Sequence, residues 1–146
     1  MKFKCTVTIE QPISKVIRLF DDPANLKEWQ DGFISTTVIS GKKGTKGAKS
    51  LIKIKAGNNI VELTETILVK NLPQELNALY EHKHMDNIVV HRFVPVTANS
   101  TQWTSEIEYI RFKEWIPRLM ASLFPGMFRK QTQKWLENFK KFAERN

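Results

Sequence analysis

Polar and apolar residues alternate from the start of this chain: Phe3, Cys5, Val7 and Ile9 interleave with Lys2, Lys4, Thr6, Thr8 and Glu10. A period of two sends the two sets to opposite sides of a strand, so the segment predicts a half-buried strand. The period then changes. Pro12 suits the first position of a helix, where its missing N–H costs nothing. Ile13, Val16, Ile17 and Phe20 follow at i, i+3, i+4 and i+7, one apolar stripe along a helix. Directly afterwards Asp22 as N-cap and Pro23 as first residue restart a second short helix. It carries Leu26 and Trp29 and stops at Gly32. A compact core has little need of two stubby helices back to back, so FDDPANLKEW predicts a plug that walls something off.

From Phe33 the alternation returns. It predicts strands over Phe33–Ser40, Lys49–Ala56, Ile60–Lys70, Glu75–Met85, Ile88–Val96 and Gln102–Phe112. The separators are turn-forming: GKKGTKG, Gly57-Asn58-Asn59, Asn71-Leu72-Pro73, Asp86-Asn87 and the stretch from Thr97 to Thr101. With no helices between them, consecutive strands should pair antiparallel. The last segment is helical again, with Trp135, Leu136, Phe139, Phe142 and Ala143 on one face. Before it, Pro117 and Pro125-Gly126 are expected to interrupt any continuous helix in KEWIPRLMASLFPGMFRK. The pattern predicts one α+β domain over residues 1–146. A curved seven-stranded antiparallel sheet wraps a long C-terminal helix, and two short helices lie between strands 1 and 2.

Composition changes this picture little. At 146 residues the chain can bury a full core. A single cysteine, Cys5, excludes an internal disulfide and reads as a small core residue. The alternating N-terminus does not resemble a signal peptide, and no apolar run reaches the ~20 residues of a membrane span, so a cytoplasmic protein is expected. The net charge of +8 concentrates between Lys42 and Lys55 and between Arg111 and Arg145. The first stretch has no aromatic residues to stack on bases up to Lys49, which argues against nucleic acid as a partner. Residues 113–130 mix Trp, Phe and Met with bases. That suits a lid, a peripheral membrane contact or a dimer surface, so monomer and homodimer both stay open.

The element order, Pro12-Ile13-Ser14-Lys15-Val16, Phe20-Asp21-Asp22-Pro23 leading to Trp29, Phe93-Val94-Pro95 before a turn, and Thr101 opening the last strand together resemble the START-like, helix-grip superfamily. That superfamily includes plant pathogenesis allergens, polyketide cyclases and lipid-transfer domains. The resemblance covers essentially the whole chain. It implies a cavity between the concave sheet and the C-terminal helix, holding a hydrophobic or amphipathic small molecule.

The candidate chemistry is sparse. An Asp86-Asn87 turn would put His82 opposite His91 and Tyr80 opposite Phe93 on one face, with Glu81 facing Arg92 on the other. A four-residue connection from Thr97 to Ser100 would instead pair Trp103 with Val94 and set it on the face of Arg92. One residue more or less reverses that parity. Either Tyr80, His82, His91 and Phe93 line the cavity, or Glu81, Arg92 and Val94 do. The expected ligand-binding set is Tyr80, His82, His91, Phe93, Trp103, Tyr109, Met120, Phe124, Phe128 and Trp135. His82 and His91 are the only candidates for acid–base catalysis, which a cyclase- or dehydrase-type enzyme would need. Glu62 and Glu65 fall on opposite strand faces and do not form a facing pair. No nucleophile motif, metal spacing or cofactor fingerprint is present, and neither a metal nor a cofactor is expected.

Overall fold

The computed structural model of this chain describes residues 1–113, 115 and 125–146. Among them β1 (Lys2–Ile9) leads into α1 (Ile13–Phe20), a 3-10 turn (Pro23–Asn25) and the single-turn α2 (Leu26–Trp29). Six strands follow: β2 (Phe33–Ser40), β3 (Lys49–Ala56), β4 (Asn59–Asn71), β5 (Glu75–Glu81), β6 (Met85–Thr97) and β7 (Ser100–Phe112). The helix α3 (Pro125–Glu144) closes the chain. The seven strands form one antiparallel sheet in the order β1-β7-β6-β5-β4-β3-β2. Every consecutive pair from β2 to β7 is a hairpin, and β1 returns to the far edge beside β7.

Local chemistry explains the first turns. Asp22 caps the 3-10 turn by accepting the Ala24 N–H at 3.0 Å. Gly32 has a φ of +80°, and a Cβ there would lie 2.2 Å from the carbonyl oxygen of Lys55. Only glycine fits where the chain enters β2.

The core forms where α1, α2 and α3 meet the β1–β7–β6 end of the sheet. Val7, Ile9, Val16, Trp29, Phe93, Trp103, Leu136 and Phe139 are buried in one cluster. Phe20 stands inside an aromatic set, with ring centroids 4.9 Å from Phe93, 5.3 Å from Trp103, 6.0 Å from Phe139 and 6.1 Å from Trp29. FDDPANLKEW thus supplies two rings, Phe20 and Trp29, to the packing between sheet and C-terminal helix.

That helix also covers the free edge of β1, whose main-chain groups would otherwise lack partners. Gln133 Nε2 donates to the Thr6 carbonyl at 3.1 Å, and Lys140 Nζ donates to that of Thr8 at 2.6 Å. Glu144 accepts the Glu10 N–H at 2.7 Å. The threonine hydroxyl of Thr101, fully buried at the start of β7, donates to the Gln11 carbonyl at 2.9 Å.

The described part of α3 begins at Pro125-Gly126, and the interruption expected of Pro117 and this pair lies outside the described residues. Two sequence expectations need correction. The β5–β6 hairpin does not turn at Asp86-Asn87: its tip is at residues 82–84, and Glu81 pairs with Asp86. His91 therefore stands opposite Leu76, not His82, and Glu81 does not face Arg92. The β6–β7 connection is shorter than expected, because Thr97 pairs with Ser100 and a bulge absorbs the residue between Pro95 and Thr97. Trp103 consequently pairs with Phe93, not Val94. The first shift is an even number of residues and keeps the faces, while the second is odd and reverses one.

No helix of the described residues is long and apolar enough to cross a membrane. The membrane contact expected of residues 113–130 lies largely outside the described residues, as do Met120 and Phe124. Within that stretch Trp115 and Met127 are exposed.

Candidate functional site

Because each strand of the sheet alternates, the concave face is built from rows of residues that pair across neighbouring strands. One row is polar throughout: Ser50 pairs with Glu65, Glu65 with Tyr80, Tyr80 with Asn87 and Asn87 with Tyr109. The next row is apolar, running Ile67, Ala78, Val89, Ile107. A third is mixed, running Lys70, Leu76, His91, Ser105. Lys70 reaches this face because a bulge between Ile67 and Val69 shifts the register of β4. Phe93 and Trp103, stacked at 5.6 Å, form the row beyond and belong to the core.

The first three rows line a cavity of about 750 Å³. Ile52, Ile54, Val61 and Leu63 of β3 and β4 extend its wall, while Phe128, Thr132 and Trp135 of α3 cover it. Phe20 and Trp29 line its closed end. At its margin the Lys70 ammonium bridges Asp21 at 2.9 Å and donates to the Gly44 carbonyl at 2.7 Å. This strap joins the end of α1 to the β2–β3 loop.

Of the predicted residues, Tyr80, His82, His91, Trp103, Tyr109, Phe128 and Trp135 line the cavity. Phe93 does not; it is buried beneath Trp103. The face carrying Tyr80, His91 and Phe93 points inward, whereas Arg92 and Val94 are exposed. His82 sits at the hairpin tip, its Nδ1 accepting the His84 N–H at 3.2 Å, remote in register from His91.

The polar groups have distinct electrostatic states. The Tyr80 hydroxyl donates to Glu65 Oε2 at 2.8 Å. Burial raises the pKa of Glu65 although the Tyr80 bond opposes it. Burial and the adjacent carboxylate push Tyr80 well above the usual phenol range. Tyr109 is pushed up to about 12 by burial. His91 is brought down to about 4, again by burial. Its Nδ1 accepts the Trp103 indole N–H at 3.2 Å, which assigns the proton of the neutral ring to Nε2. His82 is lowered by burial first and then by the charges of His84, Lys83 and Lys113. Among the described residues no group of three His, Cys, Asp or Glu side chains is placed to hold a metal ion.

Sequence reasoning passed over Glu65, yet the signal was present. It occupies an inward position between Leu63 and Ile67, where alternation leads one to expect an apolar residue. Lys70 carried no such signal, since its inward turn depends on the bulge.

No family model matches this sequence, and no curated protein does. Solved structures do. The aromatase/cyclase Zhui from Streptomyces sp. R1128 has a TM-score of 0.77 at 13% identity, over 99% of this chain and 94% of its own. Ara h 8.0201 has a TM-score of 0.78 at 10% identity, over 100% and 99%. A START superfamily protein from Mycobacterium smegmatis has a TM-score of 0.76 at 11% identity, over 96% and 97%. At these identities the likeness shows the fold alone: this chain has the START-like, helix-grip architecture.

Proposed function

We propose that this helix-grip chain binds a hydrophobic or amphipathic small molecule between its sheet and α3. The observation that carries the reading is the cavity itself. Its volume of about 750 Å³ falls within the range of small-molecule sites, and its wall is mostly aliphatic and aromatic with a few convergent polar groups. Burying apolar ligand surface there would drive binding at roughly 25 cal/mol per Å².

Ala78 is buried at the centre of the apolar row, between Ile67 and Val89, and offers the test. Ala78→Trp would project an indole into the cavity. Native mass spectrometry of gently purified protein, with titration of a neutral naphthalene probe, should show binding to the wild type. The variant should lose it. A wild-type protein that takes up no apolar probe and carries no added mass would end this reading.

A second reading is a cyclase- or dehydrase-type enzyme. It no longer has a His82–His91 pair to draw on, because those residues are separated in register. The Tyr80–Glu65 hydrogen bond is what supports it, since burial raises the pKa of this carboxyl and makes its carboxylate a stronger proton acceptor than an exposed one. Glu65→Gln abolishing turnover of a bound aromatic polyketide while sparing its binding would favour it.

A further inference from the structure

Glu65 is the unusual group in this cavity. Its neighbours along the inward face of β4 are Leu63 and Ile67, its partner on β3 is Ser50, and its partner on β5 is Tyr80. Tyr80 donates one hydrogen bond to Oε2. No lysine or arginine of the described residues forms an ion pair with the carboxylate. The nearest cation in sequence, Lys70, is committed to Asp21 and to the Gly44 carbonyl. His91 supplies no charge either, being held neutral by burial. Taking a carboxylate from water into an apolar setting without a counter-ion is costly, and the cost is recovered when a cation arrives.

The surroundings suit such a cation. Tyr80 and Tyr109 stand in the same row as Glu65, and Tyr109 packs against Phe128 with ring centroids 5.1 Å apart. Aromatic faces attract ammonium groups through their quadrupole. Beyond this row the apolar row of Ala78 and Val89 begins, and four residues along β6 separate Asn87 from His91. At about 3.3 Å per residue that is roughly 13 Å, the length of a few fused or linked rings.

The geometry points to a ligand class: an apolar, ring-bearing amine whose protonated nitrogen is held by Glu65 while its body lies along the Ala78–Val89 row. This inference rests on the cavity being the ligand site, as proposed above.

The test uses three probes with one naphthalene body on the full chain: 2-(2-naphthyl)ethylamine, 2-(2-naphthyl)ethanol and 2-naphthylacetate. Isothermal titration should rank the amine first, about tenfold or more tighter than the alcohol, as a hydrogen bond to a charged group allows. The acetate should bind weakest. In Glu65→Gln, which keeps the shape and an acceptor for Tyr80, the amine should lose its advantage over the alcohol. An amine no tighter than the alcohol, or a preference that survives Glu65→Gln, would overturn the inference while leaving the cavity reading intact.

If none of the three binds the wild type, the cavity reading itself fails and this inference with it. Should the variant not fold, a wild-type measurement decides. The carboxyl carbon resonance of Glu65 must titrate at lower pH with the amine bound than with the alcohol bound. Reading at Glu65 itself separates it from Asp21, Lys43, Lys70, His82 and His91, the other charged or imidazole groups lining the cavity. Identical titrations with the two probes would refute the contact.

Discussion

Replacing His91 with glutamine should remove a pH dependence of stability whose size follows from the site. His91 is half-buried beside Phe20, whose ring centroid lies 5.2 Å away in an edge contact, and beneath the Trp103 indole. Burial lowers its pKa from 6.5 to about 4. In the unfolded chain it regains its ordinary value, so between pH 6.5 and 4 the unfolded state binds the extra proton. The neutral ring's contribution is thus fully present above pH 6.5 and is lost as pH falls towards 4. At about 1.4 kcal/mol per pH unit this amounts to roughly 3 kcal/mol. Urea unfolding at pH 7.5 and pH 4 measures it. Wild-type stability should fall by about that much more than the stability of His91→Gln over the same range. For urea slopes of about 1–3 kcal/mol per molar, the extra midpoint shift is about 1–3 M. Glu65, whose pKa is raised, contributes in the opposite sense, but equally in both proteins, so it drops out of the comparison. Parallel profiles for the two proteins, together with a His91 imidazole that titrates near 6.5 by NMR, would mean a hydrated ring and a wet cavity floor. The burial argument would then be wrong.

Other consequences are more local. Trp103, with no exposed surface and ring contacts to Phe20, Trp29, Phe93 and Phe139, should cost about 3–5 kcal/mol as Trp103→Ala in denaturant unfolding. A loss under 1 kcal/mol would mean that the aromatic cluster is not the core. Gly32→Ala must force a Cβ against the Lys55 carbonyl at a positive φ, so its thermal midpoint should drop by several degrees; no drop would place the backbone elsewhere. Lys70→Ala should change stability by under about 1 kcal/mol, since the Asp21 carboxylate it meets is partly exposed. Because the strap borders the cavity, the same variant should release a bound probe faster in stopped-flow fluorescence, and an unchanged rate would deny the strap any gating role.

How much was legible in the sequence depends on which physical rule governed each part. Alternation located every strand, and the i, i+3, i+4 stripes located α1 and the body of α3, because burial on one face acts on each residue independently. Proline and Asp22 marked the start of the 3-10 turn through local backbone chemistry. The connections β2–β3, β3–β4 and β4–β5 were legible, but the ends of the β5–β6 and β6–β7 hairpins were not. Asp86-Asn87 is a good turn by composition, yet Asp86 is buried in β6, where its carboxylate meets Lys113 at 2.8 Å. A tertiary ion pair outweighed the local preference there. The inward face of β6 survived that six-residue error only because the error was even.

The register of Trp103 decided more, and it rested on the bulge between Pro95 and Thr97. Proline at position 95 has no N–H to give a ladder, so an irregularity beside it is physically reasonable. Sequence alone does not say on which side of the proline the extra residue falls. A bulge also turned Lys70 inward, completing the strap to Asp21. Both irregularities belong to the site. One brings the Trp103 indole to His91 and fixes which ring nitrogen carries the proton. The other turns Lys70 inward, to Asp21 and the Gly44 carbonyl. A regular sheet of the same composition would have set Trp103 on the outer face and Lys70 in solvent. The Lys70 strap and the Trp103–His91 contact are therefore set by two single-residue departures from alternation, and removing either residue by deletion should reverse a strand face before it disturbs the fold's strand order.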